Sequence, residues 1–345
     1  MLSRSAESIY WASRYIERAE DITRLLGVNF NAMLEAEIEE DKLGWLPLVK
    51  AFGSMDGYHA AYGDEVNARN VTEYLLWQPG NPNAVLSCLQ RARENARSVR
   101  EQISTEMWEH INRIYHHSRE INQEAVLQSP YEFFRFVRDA SQAFQGITDA
   151  TMMHGEPFEF IQLGKYIERG SFTVETLEME YANVRWLVDG SPESVVQLIV
   201  MLKSCSAFEP FRRTYASDLQ AWRVMEYLLL NPQFPRSVTF CMRRCAETVS
   251  EVAGMSVDET SQTGVRVSAR RNNTNPFAGP MRLFGRIYSD LEYLDIVDVL
   301  GDSFQSYLGQ LLVRINGAGD DVMRTFFNTQ IILPDAYPQT QQQQQ

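Results

Sequence analysis

Apolar side chains recur at three- and four-residue spacing along the start of the chain: Ile9, Ala12, Ile16, Ala19, Leu26, Phe30 and Met33. Between Ser5 and Ile38 there is no proline and one glycine, Gly27. That periodicity predicts one long amphipathic helix. Asn81-Pro82, Ser129-Pro130 and Ser191-Pro192 each set a capping side chain before a proline suited to a first helical turn. Glu193 adds acidic charge to the third of these starts. No clear run of alternating apolar and polar positions appears outside one polar segment. The expected class is therefore all-α, a helical bundle of about a dozen helices. The polar segment, residues 255–280, is rich in turn formers and carries Arg266, Arg270 and Arg271. At 26 residues it is long for a compact domain, and reads either as functional or as disordered. Residues 334–345 end in a glutamine run and read as a disordered tail.

The chain also resembles itself. Residues 71–96 and 224–249 match without a gap at 11 of 26 positions, at a spacing of 153. The shared positions include Glu73/Glu226, Tyr74/Tyr227, Pro79/Pro232, Pro82/Pro235, Cys88/Cys241 and Arg91/Arg244. Upstream, Tyr15-Ile16-Glu17-Arg18 recurs as Tyr166-Ile167-Glu168-Arg169, at a spacing of 151. Two blocks in the same order at nearly the same offset argue for duplication of a helical unit of about 150 residues. The expected organisation is one repeat over residues 1–150 and a second over 151–333 that carries the 255–280 insertion. The halves are expected to pack as one body in a pseudo-two-fold arrangement, much as a homodimer would.

Composition narrows the partners. The 345 residues are 44% apolar, with 32 Lys and Arg against 45 Asp and Glu, a net charge of −13. An acidic chain repels phosphate backbones, so no nucleic acid is expected as a partner. The four cysteines, Cys88, Cys205, Cys241 and Cys245, form no Cys-x-x-Cys pair and read as buried free thiols. Glu7, Arg14, Glu17 and Arg18 stand where a secretory signal needs an apolar core. The longest apolar stretch, around Val195 to Leu202, is too short to span a bilayer. No membrane association and a cytoplasmic location are the expectations.

The candidate chemistry lies in the repeats. Arg18 shares a helical stripe with Trp11, Tyr15, Ile22 and Leu25, so its guanidinium should be partly buried and need a carboxylate or backbone partner. Glu17 falls on a stripe with Arg14, Asp21 and Arg24, at spacings that suit a charge ladder along one helix. Two readings of the repeated Glu-Arg pairs stay open. One is a structural network that fixes helix packing. In the other, Glu17 and Glu168 act as acid or base in one polar pocket, with Tyr15, Arg18, Tyr166 and Arg169 binding around them. Glu73 and Glu226 either pack at helix ends beside their tyrosines or add a second carboxylate pair to that cavity. Arg266, Arg270 and Arg271 either hold a phosphate or acidic partner or belong to a solvated loop. Arg100, Glu106 and Trp108 form either a recognition surface or one face of a helix. No Glu-x-x-His motif occurs, and the five histidines all lie before residue 155, which excludes a symmetric His-carboxylate metal site. No phosphate loop, nucleophile elbow or His-Glu-x-x-His motif occurs either, and no metal or cofactor is expected.

Arg14-Tyr15-Ile16-Glu17-Arg18-Ala19-Glu20 and Gly164-Lys165-Tyr166-Ile167-Glu168-Arg169 resemble the motifs of the bacterial alpha-E family. The segment from Arg100 to Glu109 and the start of the chain through Trp11 are similar to it as well. The second copy departs at Gly170-Ser171, where the first has Ala19-Glu20. The resemblance, which runs to about residue 315, implies an all-helical protein encoded beside a circularly permuted ATP-grasp protein and often a transglutaminase-like protease. It implies a role in ATP-dependent amide-bond formation on a peptide. This chain has no nucleotide motif, so ATP chemistry would belong to the partner. Three functions are compatible: an accessory or substrate-binding subunit of an ATP-grasp-type ligase, an enzyme using the Glu-Arg pairs, or a purely structural interaction protein.

Overall fold

The computed structural model describes residues 3–35, 45–184, 192–216, 219–254, 278–300 and 303–327. Arg266, Arg270, Arg271 and the glutamine-rich tail lie outside the described residues. Sixteen α-helices and one π-helical turn make up the secondary structure among the described residues, with no strand. They are α1 (Ser3–Glu35), α2 (Trp45–Phe52), α3 (Met55–Tyr62), α4 (Ala68–Leu76), α5 (Val85–Ser98), α6 (Thr105–Glu120), α7 (Gln123–Gln128) and α8 (Tyr131–Thr151). Then follow α9 (Glu156–Val184), α10 (Pro192–Ser204), α11 (Phe208–Tyr215), α12 (Ala221–Leu230), α13 (Val238–Val252), α14 (Ala278–Glu292), α15 (Ile296–Val299) and α16 (Phe304–Val322). The last three residues of the segment read as a polar loop, 278–280, are thus the first turn of α14.

Helix starts follow local side-chain chemistry. Ser54, Asn67, Ser104, Asn122 and Ser237 each accept a hydrogen bond from a backbone N–H three residues on, which satisfies a donor the helix cannot. Pro192 opens α10, and α8 begins directly after Pro130. Asn81-Pro82 does not open a helix; α5 begins at Val85. Asn81 is used up in the turn, where its amide donates to the Tyr74 carbonyl at 3.3 Å and accepts from the Asn83 N–H at 3.0 Å.

Two long helices organise the rest. α1 packs on α5, α8 and α9, while α9 packs on α13, α16 and α1. α6 fills the space between α5 and α8, as α14 does between α13 and α16. One hydrophobic core runs through both sets. Helix bounds recur at the offset of the sequence match: α3 and α11 begin and end 153 residues apart, and α4/α12 and α5/α13 begin 153 apart. An aromatic trio recurs with them. Tyr58–Tyr62, Tyr58–Tyr74 and Tyr62–Tyr74 stand 5.2, 5.3 and 6.3 Å apart. Phe211–Tyr215, Phe211–Tyr227 and Tyr215–Tyr227 stand 4.9, 5.4 and 6.1 Å apart.

α1 and α9 approach so closely that side chains are excluded at one point. Ser13 Oγ donates to the Ile161 carbonyl at 2.8 Å across the pair. A Cβ on Gly164 would stand 2.5 Å from the Tyr10 carbonyl oxygen, which is backbone and cannot turn aside. At Gly170 the nearest atom is the Met242 Cε, at 2.7 Å, the end of a flexible side chain. Gly164→Ala is therefore expected to lower the unfolding free energy by about 1–3 kcal/mol. Gly170→Ala should cost clearly less in the same urea titration. Equal costs would mean that the helix crossing is not the tight point.

Candidate functional site

Where α1 crosses α9, the two Tyr-Ile-Glu-Arg segments meet and exchange partners. Glu17, with 0% of its surface exposed, receives Arg169 of the other segment: Nη2 donates to Oε2 at 3.1 Å, and Nε donates to Oε1. Glu168 receives Arg18 in return, through Nε at 2.5 Å and Nη2 at 3.1 Å. Each Glu-Arg dipeptide thus presents its carboxylate to the other's guanidinium in a two-pronged contact that suits the planar Arg fork.

A second arginine completes each pairing. Arg14 Nε donates to Glu168 Oε2 at 2.7 Å, and its Nη1 donates to the Tyr10 hydroxyl at 3.1 Å. On the other side the second cation is Arg236, whose Nη2 lies 3.0 Å from Glu17 Oε1. The same arginine donates to Glu20 Oε1 at 2.7 Å and to Asp21 Oδ1 at 2.6 Å. Thr173 Oγ1, donating to the Arg236 carbonyl at 2.7 Å, ties that residue's backbone to α9. Arg24 donates to Glu20 from one turn further along α1. The ladder expected along one face of α1 is therefore not formed. Glu17 takes its cations from α9 and from the turn before α13, and Arg14 reaches across to Glu168.

Burial and pairing set the protonation of this cluster. Burial alone would push Glu168 up, but Arg18 and Arg14 outweigh it and hold the carboxyl at about 2. Glu20 is held at about 2 in the same way by Arg236, Arg24 and Arg169 against its burial. Asp21 goes the other way: burial, with Glu17 and Glu20 beside it, raises it well above the usual carboxylate range despite Arg236. Glu175 is raised to about 8 by burial and by the nearby Glu168. Burial pushes the thiols of Cys88, Cys205 and Cys241 up to about 12, so none is a thiolate nucleophile at neutral pH.

Sequence reasoning missed Arg236. It stands 153 residues after Asn83, inside the matched block, and Asn83 Oδ1 accepts from Arg18 Nη1 at 2.7 Å. The signal was available as a neutral-to-cationic difference between two matched positions. Glu20 is likewise unrepeated: Ser171 stands in its place, and its buried Oγ has no hydrogen-bond partner.

Tyr15 and Tyr166 border the cluster under matched arginines. Arg91 Cζ is 5.7 Å from the Tyr15 ring, and Arg244 Cζ is 5.6 Å from the Tyr166 ring. Glu73 and Glu226 are not brought to the cluster. Each is half-buried beside an aromatic trio, near Tyr62 and Tyr215 respectively. Arg100, Glu106 and Trp108 sit at the turn from α5 to α6, with Arg100 Cζ 4.9 Å from the half-buried Trp108 ring. Ser98 at that end touches Ser8, nine residues before Glu17, or roughly 14 Å along the helix axis. Among the described residues, no group of three His, Cys, Asp or Glu side chains is placed to hold a metal ion, and no helix is long and apolar enough to cross a membrane.

Glu168 carries a pH signature. Its folded pKa lies below the unfolded value of 4.5, so its contribution is fully present above pH 4.5 and is lost as pH falls towards 2. Glu168→Gln leaves Arg14 and Arg18 without their carboxylate, and should cost about 3–5 kcal/mol at pH 7. It should also flatten the acid limb of stability against pH, followed by urea unfolding at each pH. An unchanged acid limb would assign the proton uptake to another carboxyl.

Proteins of known sequence place this geometry in a family. "Uncharacterized protein Rv2567" of Mycobacterium tuberculosis is 24% identical over 352 residues, covering 96% of this chain. "Uncharacterized protein Mb2597" of Mycobacterium bovis matches with the same identity and coverage. The chain spans 37% of the length of either relative. No solved structure matches it. The model of the Alpha-E family, described as a predicted alpha-helical domain with a conserved ER motif, matches residues 1–327. Glu17-Arg18 and Glu168-Arg169 are the two Glu-Arg dipeptides in the sequence. With the family's helical class and two such dipeptides in reciprocal contact, the chain belongs to the Alpha-E family.

Proposed function

We propose that the chain is a helical accessory or substrate-binding unit of an ATP-grasp-type amide or peptide ligase system. In this reading it docks on the ligase and helps to hold the ligase's substrate, with a transglutaminase-like protease as a further partner. The observation that carries the proposal is the closed, reciprocal pairing of Glu17 with Arg169 and of Glu168 with Arg18. A general acid or base needs a pKa near the working pH. Glu168, held at about 2 by its arginines, is a poor acid or base at neutral pH. A clamp of this kind suits a rigid scaffold whose work is done on its outer faces. The longer mycobacterial relatives, of which this chain spans 37%, fit a unit that works joined to further polypeptide.

The test is association. The full chain, mixed at micromolar concentration with the ATP-grasp-type protein from the same source, should elute with it in one gel-filtration peak. It should also lower the ligase's KM for its peptide or amine substrate. Two separate peaks with unchanged ligase kinetics would sink the proposal.

A further inference from the structure

The two halves of the charged cluster are built unequally, and the inequality leaves one amine over. In α1, Arg14 is spent on Glu168. The matched position in α9, 151 residues on, is Lys165. The carboxylate that Lys165 would serve is Glu17, which Arg169 and Arg236 already occupy. Lys165 has no carboxylate within ion-pair distance among the described residues. Its Nζ stands 4.5 Å from the Tyr166 ring centroid. Its surface is 8% exposed, so the side chain is largely desolvated while keeping an edge to solvent.

The groups that face Lys165 come from three helices: Arg169 on its own helix, Glu17 on α1, and Arg244 and Cys241 on α13. Burial, reinforced by Arg169 and Arg244, pulls its ammonium down to about 7, with Glu17 opposing. Near neutral pH a large share of this side chain is therefore the free amine. An arginine in this place would stay charged at any working pH.

The cationic side of this neighbourhood is formed by Arg243 and Arg244, and Glu159 of α9 faces Arg244 as well. Arg243 and Arg244 share one carboxylate, Glu247, at 3.7 and 2.7 Å. Arg243 Nε is buried with no hydrogen-bond partner. Arg244 retains a third of its side-chain exposure, which places it at the solvent edge of the same site. Its guanidinium and the Lys165 amine both border the Tyr166 ring.

We propose that Lys165 is a nucleophilic amine site for small carbonyl compounds bearing a carboxylate, the 2-oxo acids, with Arg244 as the carboxylate anchor. The uncharged Nζ gives its lone pair to the carbonyl carbon, the C=O π pair moves to oxygen, and a proton passes from the nitrogen to that oxygen. The resulting carbinolamine loses one water to give an imine, with no oxidation or reduction. The first half cannot host this chemistry, since the matched residue is Arg14.

The chain has four lysines, Lys42, Lys50, Lys165 and Lys203, so the adduct can be assigned by peptide mapping of the wild-type protein. The full chain is incubated with glyoxylate and cyanoborohydride, which reduces the imine to a stable secondary amine. At pH 7 the initial labelling rate at Lys165 should exceed that at Lys50 and Lys203 by about tenfold or more. It should fall as pH drops from 7 to 5. Propionaldehyde, which lacks the carboxylate, should lose most of the preference for Lys165, and Arg244→Gln should lose it with glyoxylate alone. Labelling of Lys165 no faster than the other lysines overturns the proposal. Equal selectivity with propionaldehyde overturns the anion anchor. Because the site is read on the unaltered chain, the result stands even if a variant fails to fold, and it does not depend on any ligase partner.

Discussion

Two carboxylates closed off from water where two helices cross need cations of their own, and here each draws one from the opposite helix. The free energy of transferring such charges out of water is large, and only close two-pronged contacts with neighbouring hydrogen bonds offset it. Most of the architecture follows from that requirement. α1 must approach α9 closely enough for the Arg18 and Arg169 forks to reach across, and the bare Cα of Gly164 allows it. α13 must deliver the turn before it at a fixed height, because Arg236 serves three carboxylates at once. The aromatic trios hold the short helices that lead into α5 and α13, which set where those turns stand.

The arrangement also separates matched position from matched chemistry. Residues 83 and 236 occupy corresponding places, yet one is a neutral acceptor for Arg18 and the other a cation for Glu17. Residues 14 and 165 differ in the complementary sense: an arginine bound to a carboxylate, and a lysine bound to none. Moving the second cation from the long helix to the preceding turn keeps Glu17 neutralised while releasing position 165 from structural duty. A buried amine without a counter-ion destabilises the folded state, so its presence is more economically explained by chemistry than by packing.

Much of this was legible in the sequence, and the missing parts have a common cause. The three- and four-residue rhythm from Ile9 to Met33 identified α1, and the repeated Tyr-Ile-Glu-Arg segments marked the residues at the crossing. Periodicity, however, reports only neighbours on the same helix. It placed Glu17 with Arg14, Asp21 and Arg24, whereas its cations come from residues 169 and 236. Long-range electrostatics outweigh helical adjacency when the facing helix is in contact and water is absent. Arg236 lies inside the repeated block but at a position where the two copies differ, so identity between the copies does not mark it. Asn81-Pro82 looked like a helix start because its composition is right. The Asn81 side chain spends its hydrogen bonds on the turn before the helix instead.

The pairing of residues some 150 positions apart has a consequence in time. A chain is made from its N-terminus, at about 5–20 residues per second. α1 leaves the ribosome several seconds before α9 exists, and longer before Arg236. Through that interval Glu17, Glu20 and Asp21 have none of the cations that α9 and the turn before α13 supply. The stripe of carboxylates that ends up buried is thus what keeps the first helix hydrated while it waits. Neutralisation of Glu17 is then a late event, which no N-terminal fragment lacking α9 can reach.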